Sequence, residues 1–149
     1  LAGRLSHAGD YPEVAKRALE QMVKITGEPL FNKEGMMQRG VIARHLLLPG
    51  HKKNAKAVLQ YLWETYGDRV CISLMNQYTP MVQLTSHRGN QKELEEAVQQ
   101  EPQLMRKVTA REYEQVVDYA LQLGITNAFI QEGDVAKESF IPDFDTTGV

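Results

Sequence analysis

The stretch Val41 to Gly50, VIARHLLLPG, constrains this chain most. Aliphatic and β-branched residues run through it almost unbroken and stop at a Pro-Gly turn. That is the pattern of a buried strand in a parallel sheet, covered on both faces. Arg44 interrupts the run. A buried arginine needs a partner that offsets its desolvation, so the strand either lines a site that uses a cation or pairs Arg44 with an anion carried elsewhere.

The 149 residues suit one domain with a substantial core. Hydrophobic residues at 42% and charged residues at 24% place the chain among ordinary globular proteins. A formal net charge of -2 gives no whole-chain reason to expect nucleic acid or an anionic membrane as partner. No apolar run approaches the roughly 20 residues of a bilayer span, and the start LAGRLSHAGD has no signal-peptide core, so a cytoplasmic location is expected. The lone cysteine, Cys71, forms no internal disulfide and by itself holds no structural zinc or iron-sulfur cluster; inside the apolar run Val70 to Met75 it reads as a buried thiol.

Helices alternate with strands along the chain. The spacing predicts a helix over 11–26, with Asp10 as N-cap, Pro12 in the first turn, Glu13 three residues after the cap, and an apolar face of Val14, Ala18, Leu19, Met22 and Ile25. Gly27 and Pro29 end it. Residues 30–40 read as a loop that turns at Gly35 and Gly40. After a strand over 41–48, Asn54 is the expected cap of a helix over 54–66, whose core stripe is Ala55, Val58, Leu59, Leu62 and Tyr66. Trp63 belongs with these core residues.

A second strand over 70–78, VCISLMNQY, turns from apolar to hydrogen-bonding at Asn76, Gln77 and Tyr78. Residues 82–108 read as a polar, solvated insertion, with a binding loop or lid as the alternative for so long a connection. Thr109 and Glu112 make a capping box for a helix over 110–123, with Tyr113, Val116, Val117, Ala120 and Leu121 as its stripe and Gly124 as its stop. A strand over 127–131 follows. In the tail, Phe140, Ile141 and Phe144 are available to pin it to the body.

This order implies an α/β fold with a parallel sheet, right-handed crossovers and all strand carboxyl ends on one edge, where such sheets bind ligands. That edge collects Pro49 to Lys53, Asn76 to Met81 and Gln131 to Glu138. Three strands are few for the class, so the chain reads as part of something larger. His51, Lys52 and Lys53 form either an anion site at a helix N-terminus or a solvated turn. His45 alternates with Arg44 and is expected beneath a helix. The four histidines show no metal-ligand spacing.

The segments RHLLLPGH, NQYTPM, LMRKVTAREYEQVVDYALQLGITNAFIQEG and SFIPDFDTTGV, taken in order, resemble radical SAM proteins of the pyruvate formate-lyase activating enzyme-like type. The resemblance spans essentially the whole chain apart from the insertion. It implies half of a partial (β/α) TIM-type barrel, the C-terminal half. In that family a CxxxCxxC loop holds a four-iron, four-sulfur cluster that S-adenosylmethionine (SAM) chelates, and reductive cleavage leads to hydrogen abstraction, in the activases from a glycine of a partner enzyme. Neither the CxxxCxxC nor the Gly-Gly-Glu type motif that holds the methionine amine is present here. The resemblance therefore implies an enzyme as the longer parent, with this chain inactive alone.

Residue by residue, Arg44 matches the basic residue that lies near the methionine moiety. Leu46 matches the position that packs on adenine, and Asn76, Gln77 and Tyr78 fall where adenine contacts are made. The activases often carry a histidine where Tyr78 stands. Gln131 and Glu132 are substrate-facing by position. The partners implied are the missing N-terminal half, a glycyl-radical enzyme and, through the exposed sheet edge, a second copy. The reading from another class is a non-catalytic half-barrel module that binds a protein or small ligand.

Overall fold

The computed structural model describes residues 1–80, 99 and 101–130. Its centre is a three-stranded parallel sheet in the order β3-β4-β5, with β3 at Val41–Leu46, β4 at Val70–Met75 and β5 at Ala128–Ile130. A two-stranded antiparallel hairpin, β1 (Leu30–Phe31) with β2 (Met37–Arg39), precedes it. Helices with both ends among the described residues are α1 (Ala2–Leu5), α2 (Tyr11–Thr26), α3 (Lys52–Tyr66) and α4 (Ala110–Gln122). The fold is α/β, and among the described residues the sheet does not close into a barrel.

The strands pair in sequence order and in register: Ile42 opposite Cys71, Arg44 opposite Ser73, Leu46 opposite Met75, and Ser73 opposite Phe129. Side chains alternate across a strand, so the sheet has two unlike faces. Val41, Ala43, Val70, Ile72, Leu74 and Ala128 belong to one core with Val23 of α2, Leu59 and Leu62 of α3, and Tyr113, Val116 and Ala120 of α4. The other face carries Ile42, Arg44 and Leu46 with Cys71, Ser73, Met75 and Phe129; Ile42 is 43% exposed and Phe129 48%, while Cys71 is fully buried. Helices α2, α3 and α4 thus share one side of the sheet, the arrangement of a barrel wall rather than of a sheet wound on both sides.

This corrects the reading of β3 as a strand covered on both faces. Its burial alternates, and Arg44 is exposed. An aliphatic run with one buried and one open side cannot be told from a doubly covered one by hydrophobicity alone.

Several local expectations hold. The box at α4 is formed: the Glu112 N–H donates to Thr109 Oγ1 at 3.2 Å, and the Thr109 N–H donates to Glu112 Oε2 at 3.0 Å. Ala55, Leu59, Leu62 and Tyr66 are buried in α3, and Gly67 with φ 54° follows its last residue. Burial and a hydrogen bond with Tyr61 push the Tyr66 phenol up to about 12. Arg69 donates to the carbonyls of Thr65 and Tyr66, which closes the helix end. Cys71 is fully buried, and that burial pushes its thiol up.

Others are corrected. Helix α3 begins at Lys52 with His51 in the N-cap position, so Asn54 lies inside the first turn. Asp10 occupies the N-cap position of α2 but makes no capping hydrogen bond. Residues 30–39 form the hairpin rather than a loop; the Asn32 side chain accepts from the N–H groups of Glu34 and Met36 across its turn. Leu121 is 58% exposed, and Ile125 closes that end of the core instead.

The largest departure is on α2. Only Val23 is buried, while Val14, Met22 and Ile25 of the expected core stripe are 44%, 51% and 82% exposed. Lys16, Glu20 and Lys24 face α3, where they line a groove with Tyr61, Tyr66 and Arg69. With about 100° of rotation per residue, Val14, Ala18, Met22 and Ile25 point to the opposite side of the helix, away from α3.

Leu59 lies at the centre of the core with no exposed surface. Leu59→Ala is expected to cost about 3 to 4 kcal/mol, whereas Leu121→Ala should stay within about 0.5 kcal/mol. Urea unfolding of the two variants measures the contrast, and similar losses would contradict this core.

Candidate functional site

Two regions hold the residues singled out in the sequence, the open face of the sheet and its carboxyl edge. On the open face, Arg44, Ser73 and Phe129 form one row across the three strands, and Leu46 and Met75 form the next row toward the carboxyl ends. Arg44 and Leu46 are exposed and Ser73 is half-buried. Among the described residues Arg44 makes no ion pair or hydrogen bond, so its guanidinium is available in the middle of an otherwise largely apolar surface. A planar cation on the strand face between Ile42 and Leu46, in one row with Ser73 and Phe129, is suited to a carboxylate on a ligand with an apolar or planar body. His45 lies on the helix side, half-buried, and burial lowers its pKa.

Asn76, Gln77 and Tyr78 continue β4 without strand pairing, and all three are half-buried. The Tyr78 ring packs against the core, and its hydroxyl donates to the Leu104 carbonyl at 2.8 Å. The structure therefore brings Arg44 and Leu46 together on the open face and uses Tyr78 to hold the chain at residue 104. Gln131 and Glu132 lie outside the described residues, as do Phe140, Ile141 and Phe144 of the tail.

The carboxyl edge is built around Glu112. Its Oε1 accepts from the Gly50 N–H at 2.9 Å and from Arg106 Nη2 at 2.8 Å; its Oε2 accepts from Arg106 Nη1 at 2.7 Å and from the Thr109 N–H and Oγ1, each at 3.0 Å. The Arg106 guanidinium, followed by these backbone donors, holds the carboxyl well below the usual carboxylate range against the opposing effect of burial. Gly50 itself admits no side chain. It has φ 78°, and a Cβ there would stand 2.8 Å from Gln103 Cγ.

Three contacts involve the basic turn. The Gly50 N–H is taken by Glu112, Lys52 Nζ donates to Gln115 Oε1, and His51 Nε2 lies 3.3 Å from Glu101 Oε2. Of the donors at the start of α3, the Gly50 N–H and Lys52 Nζ are thus used inside the protein, while Lys53 stays exposed.

The sequence reading missed Glu101. It is 6% exposed, with Arg4 Nη2 2.9 Å from its Oε1 and His51 beside its Oε2. Residues 101–108, expected as the end of a solvated insertion, also bury Leu104 and Val108. The apolar spacing of Leu104 and Val108 ahead of the Thr109 cap was the available signal. Residues 82–98 and 100 lie outside the described residues.

Among the described residues no three His, Cys, Asp or Glu side chains converge as metal ligands, and no helix is long and apolar enough to cross a membrane. No family model, curated protein or solved structure matches this chain.

Glu112→Gln is expected to cost about 2 to 3 kcal/mol at neutral pH, since it weakens charge-assisted bonds and leaves Arg106 without its anion. A carboxylate whose pKa is depressed on folding gives stability that is complete above the ordinary glutamate range and is lost as the pH falls below it. The gap between wild type and variant in urea midpoint should therefore narrow below about pH 4. A gap independent of pH would remove Glu112 from its central place.

Proposed function

We propose that this chain is the C-terminal part of a radical SAM enzyme resembling the pyruvate formate-lyase activating enzymes. In this reading it contributes one wall of the SAM pocket and is inactive without the N-terminal half of the barrel. The observation that carries the reading is the one-sided winding of the sheet: helices on one face, and on the other a row in which Arg44 stands with Ser73 and Phe129. A (β/α) barrel wall has this asymmetry, with its open face turned toward the interior.

The residues present fit part of the cofactor set. Arg44 would bind and orient the methionine carboxylate, and Leu46 would exclude water beside the adenine. The cluster is outside this chain's means, because Cys71 is the single cysteine and is buried with its thiol pKa raised. When bound, the cluster and SAM supply the reductive cleavage that precedes hydrogen abstraction from a glycyl-radical enzyme. The exposed stripe of α2, Val14, Met22 and Ile25, supports a neighbouring βα unit on that side. A cytoplasmic location belongs to the same proposal.

Among the described residues β3 lies at the edge of the sheet, which favours one further reading. Its outer backbone groups, without a strand partner among the described residues, would let the chain act as a non-catalytic module that binds a ligand or protein, or pairs with a second copy.

The coding sequence upstream of Leu1 separates the two. An in-frame CxxxCxxC is expected, and a stop codon or a start immediately before Leu1 would overturn the enzyme reading in favour of the module. In the complete enzyme, Arg44→Ala is expected to weaken SAM binding at least about tenfold, roughly 1.4 kcal/mol. Unchanged affinity would remove Arg44 from the pocket.

A further inference from the structure

The groove between α2 and α3 lies among the helices, on the side of the sheet opposite Arg44. It has a volume of about 350 Å³ and is lined by four cations, Lys16, Arg17 and Lys24 of α2 and Arg69 from the turn after α3, against one carboxylate, Glu20. The chain as a whole carries a formal net charge of -2, so this concentration of positive charge runs against its composition. Tyr61 and Tyr66 line the α3 side, edge to face with their ring centres 6.3 Å apart. Lys16 Nζ stands 5.2 Å from the Tyr61 ring centre and the Arg69 guanidinium 5.8 Å from that of Tyr66. The ring faces thus attract two of the cations. The Tyr66 phenol, pushed up to about 12, brings no negative charge near neutral pH.

Little of this charge is neutralised within the protein. Arg17 is exposed, and among the described residues it makes no hydrogen bond or ion pair. Arg69 donates from Nε and Nη2 to backbone carbonyls, at 3.3 and 2.9 Å, so no carboxylate balances it there. Lys24 with Glu20, at 2.6 Å, and Lys16 with Glu13, at 3.2 Å, are pairs of exposed side chains. Such pairs contribute little and give way to a ligand of higher charge.

The dimensions select the ligand. From Lys16 to Lys24 the helix rises about 12 Å at 1.5 Å per residue, with Arg17 within that span. A single phosphate or carboxylate meets only part of such a row, whereas an anion that repeats its charge along its length meets all of it. The volume is that of a small-molecule site and is too small for a partner helix, which is about 10 to 12 Å across with its side chains. Arginine pairs with phosphate through two parallel N–H bonds. We propose that the groove between α2 and α3 is a binding site for an oligophosphate chain, free or carried by a nucleotide, with Arg17 and Arg69 on its phosphate oxygens and Lys16 and Lys24 beside it. This inference does not depend on the radical SAM reading.

Calorimetric titration of the 149-residue chain with tripolyphosphate, inorganic phosphate and ATP tests it. Tripolyphosphate should bind at least about tenfold more tightly than inorganic phosphate, and Arg17→Gln should weaken it by about five- to tenfold. Arg17 makes no bond within the protein, so its variant keeps the fold. Lys33→Gln, which removes the same charge from the exposed turn of the hairpin, should leave the affinity unchanged. ATP binding more tightly than tripolyphosphate would assign the site to a nucleotide, and any other order to the free chain. No preference for tripolyphosphate over inorganic phosphate, an affinity that survives Arg17→Gln, or an equal loss in Lys33→Gln would overturn the site. Displacement of tripolyphosphate by a glutamate-rich peptide of similar affinity would overturn it in favour of an acidic protein partner.

Discussion

The carboxylate of Glu112 is the junction on which the carboxyl edge depends. One side chain closes the first turn of α4, accepts the backbone N–H of Gly50 from 62 residues away, and binds the Arg106 guanidinium by both oxygens. A helix N-terminus has unsatisfied donors, and a turn after a strand has one more. Here a single buried anion satisfies both and fixes α4 against the end of β3. Lys52 to Gln115 and Tyr113 to the Leu74 carbonyl strengthen the same joint from its two flanks. Lys52, which looked like part of an anion-binding turn, helps to build this joint.

The two faces of the sheet follow from where the helices are placed. Each crossover returns on the same side, so Leu59 and Val116 fill one face completely while Ile42, Leu46 and Phe129 remain accessible on the other. Arg44 is tolerable because of this asymmetry. On the helix side its charge would need a buried anion, whereas on the open side its guanidinium keeps contact with solvent. The apolar flank of α2 and the edge of β3 repeat the theme on the outside of the molecule, where surface that ordinarily meets a neighbouring element is left available.

Much of the fold was legible because its signals are local. Thr109 with Glu112, Gly67, and the stripe from Ala55 to Tyr66 each act through neighbours within a turn or two, and each is found in place. What escaped was nonlocal. Whether Arg44 is buried depends on which side of the sheet the helices occupy, and no feature of VIARHL encodes that. The stripe of α2 is correctly periodic, yet α3 approaches from the opposite side and meets Lys16 and Glu20. Glu101 is invisible for a similar reason. In the sequence it is one acid in a polar stretch, and only the return of the chain past His51 and Arg4 makes it a buried anion. The hairpin at 30–39 was hidden by its two- and three-residue strands, too short for alternation to register.

The contact between Tyr78 and Leu104 carries a consequence for how such a chain can vary. It pins the two ends of the β4-to-α4 connection to each other, with the core contact of Leu104 and the ion pair of Arg106 as reinforcement. Once the ends are joined, the entropy of closing the connection rises only with the logarithm of its length, about 0.6 kcal/mol for each doubling. A change in the length of the connection between those anchors therefore costs the sheet little in closure entropy.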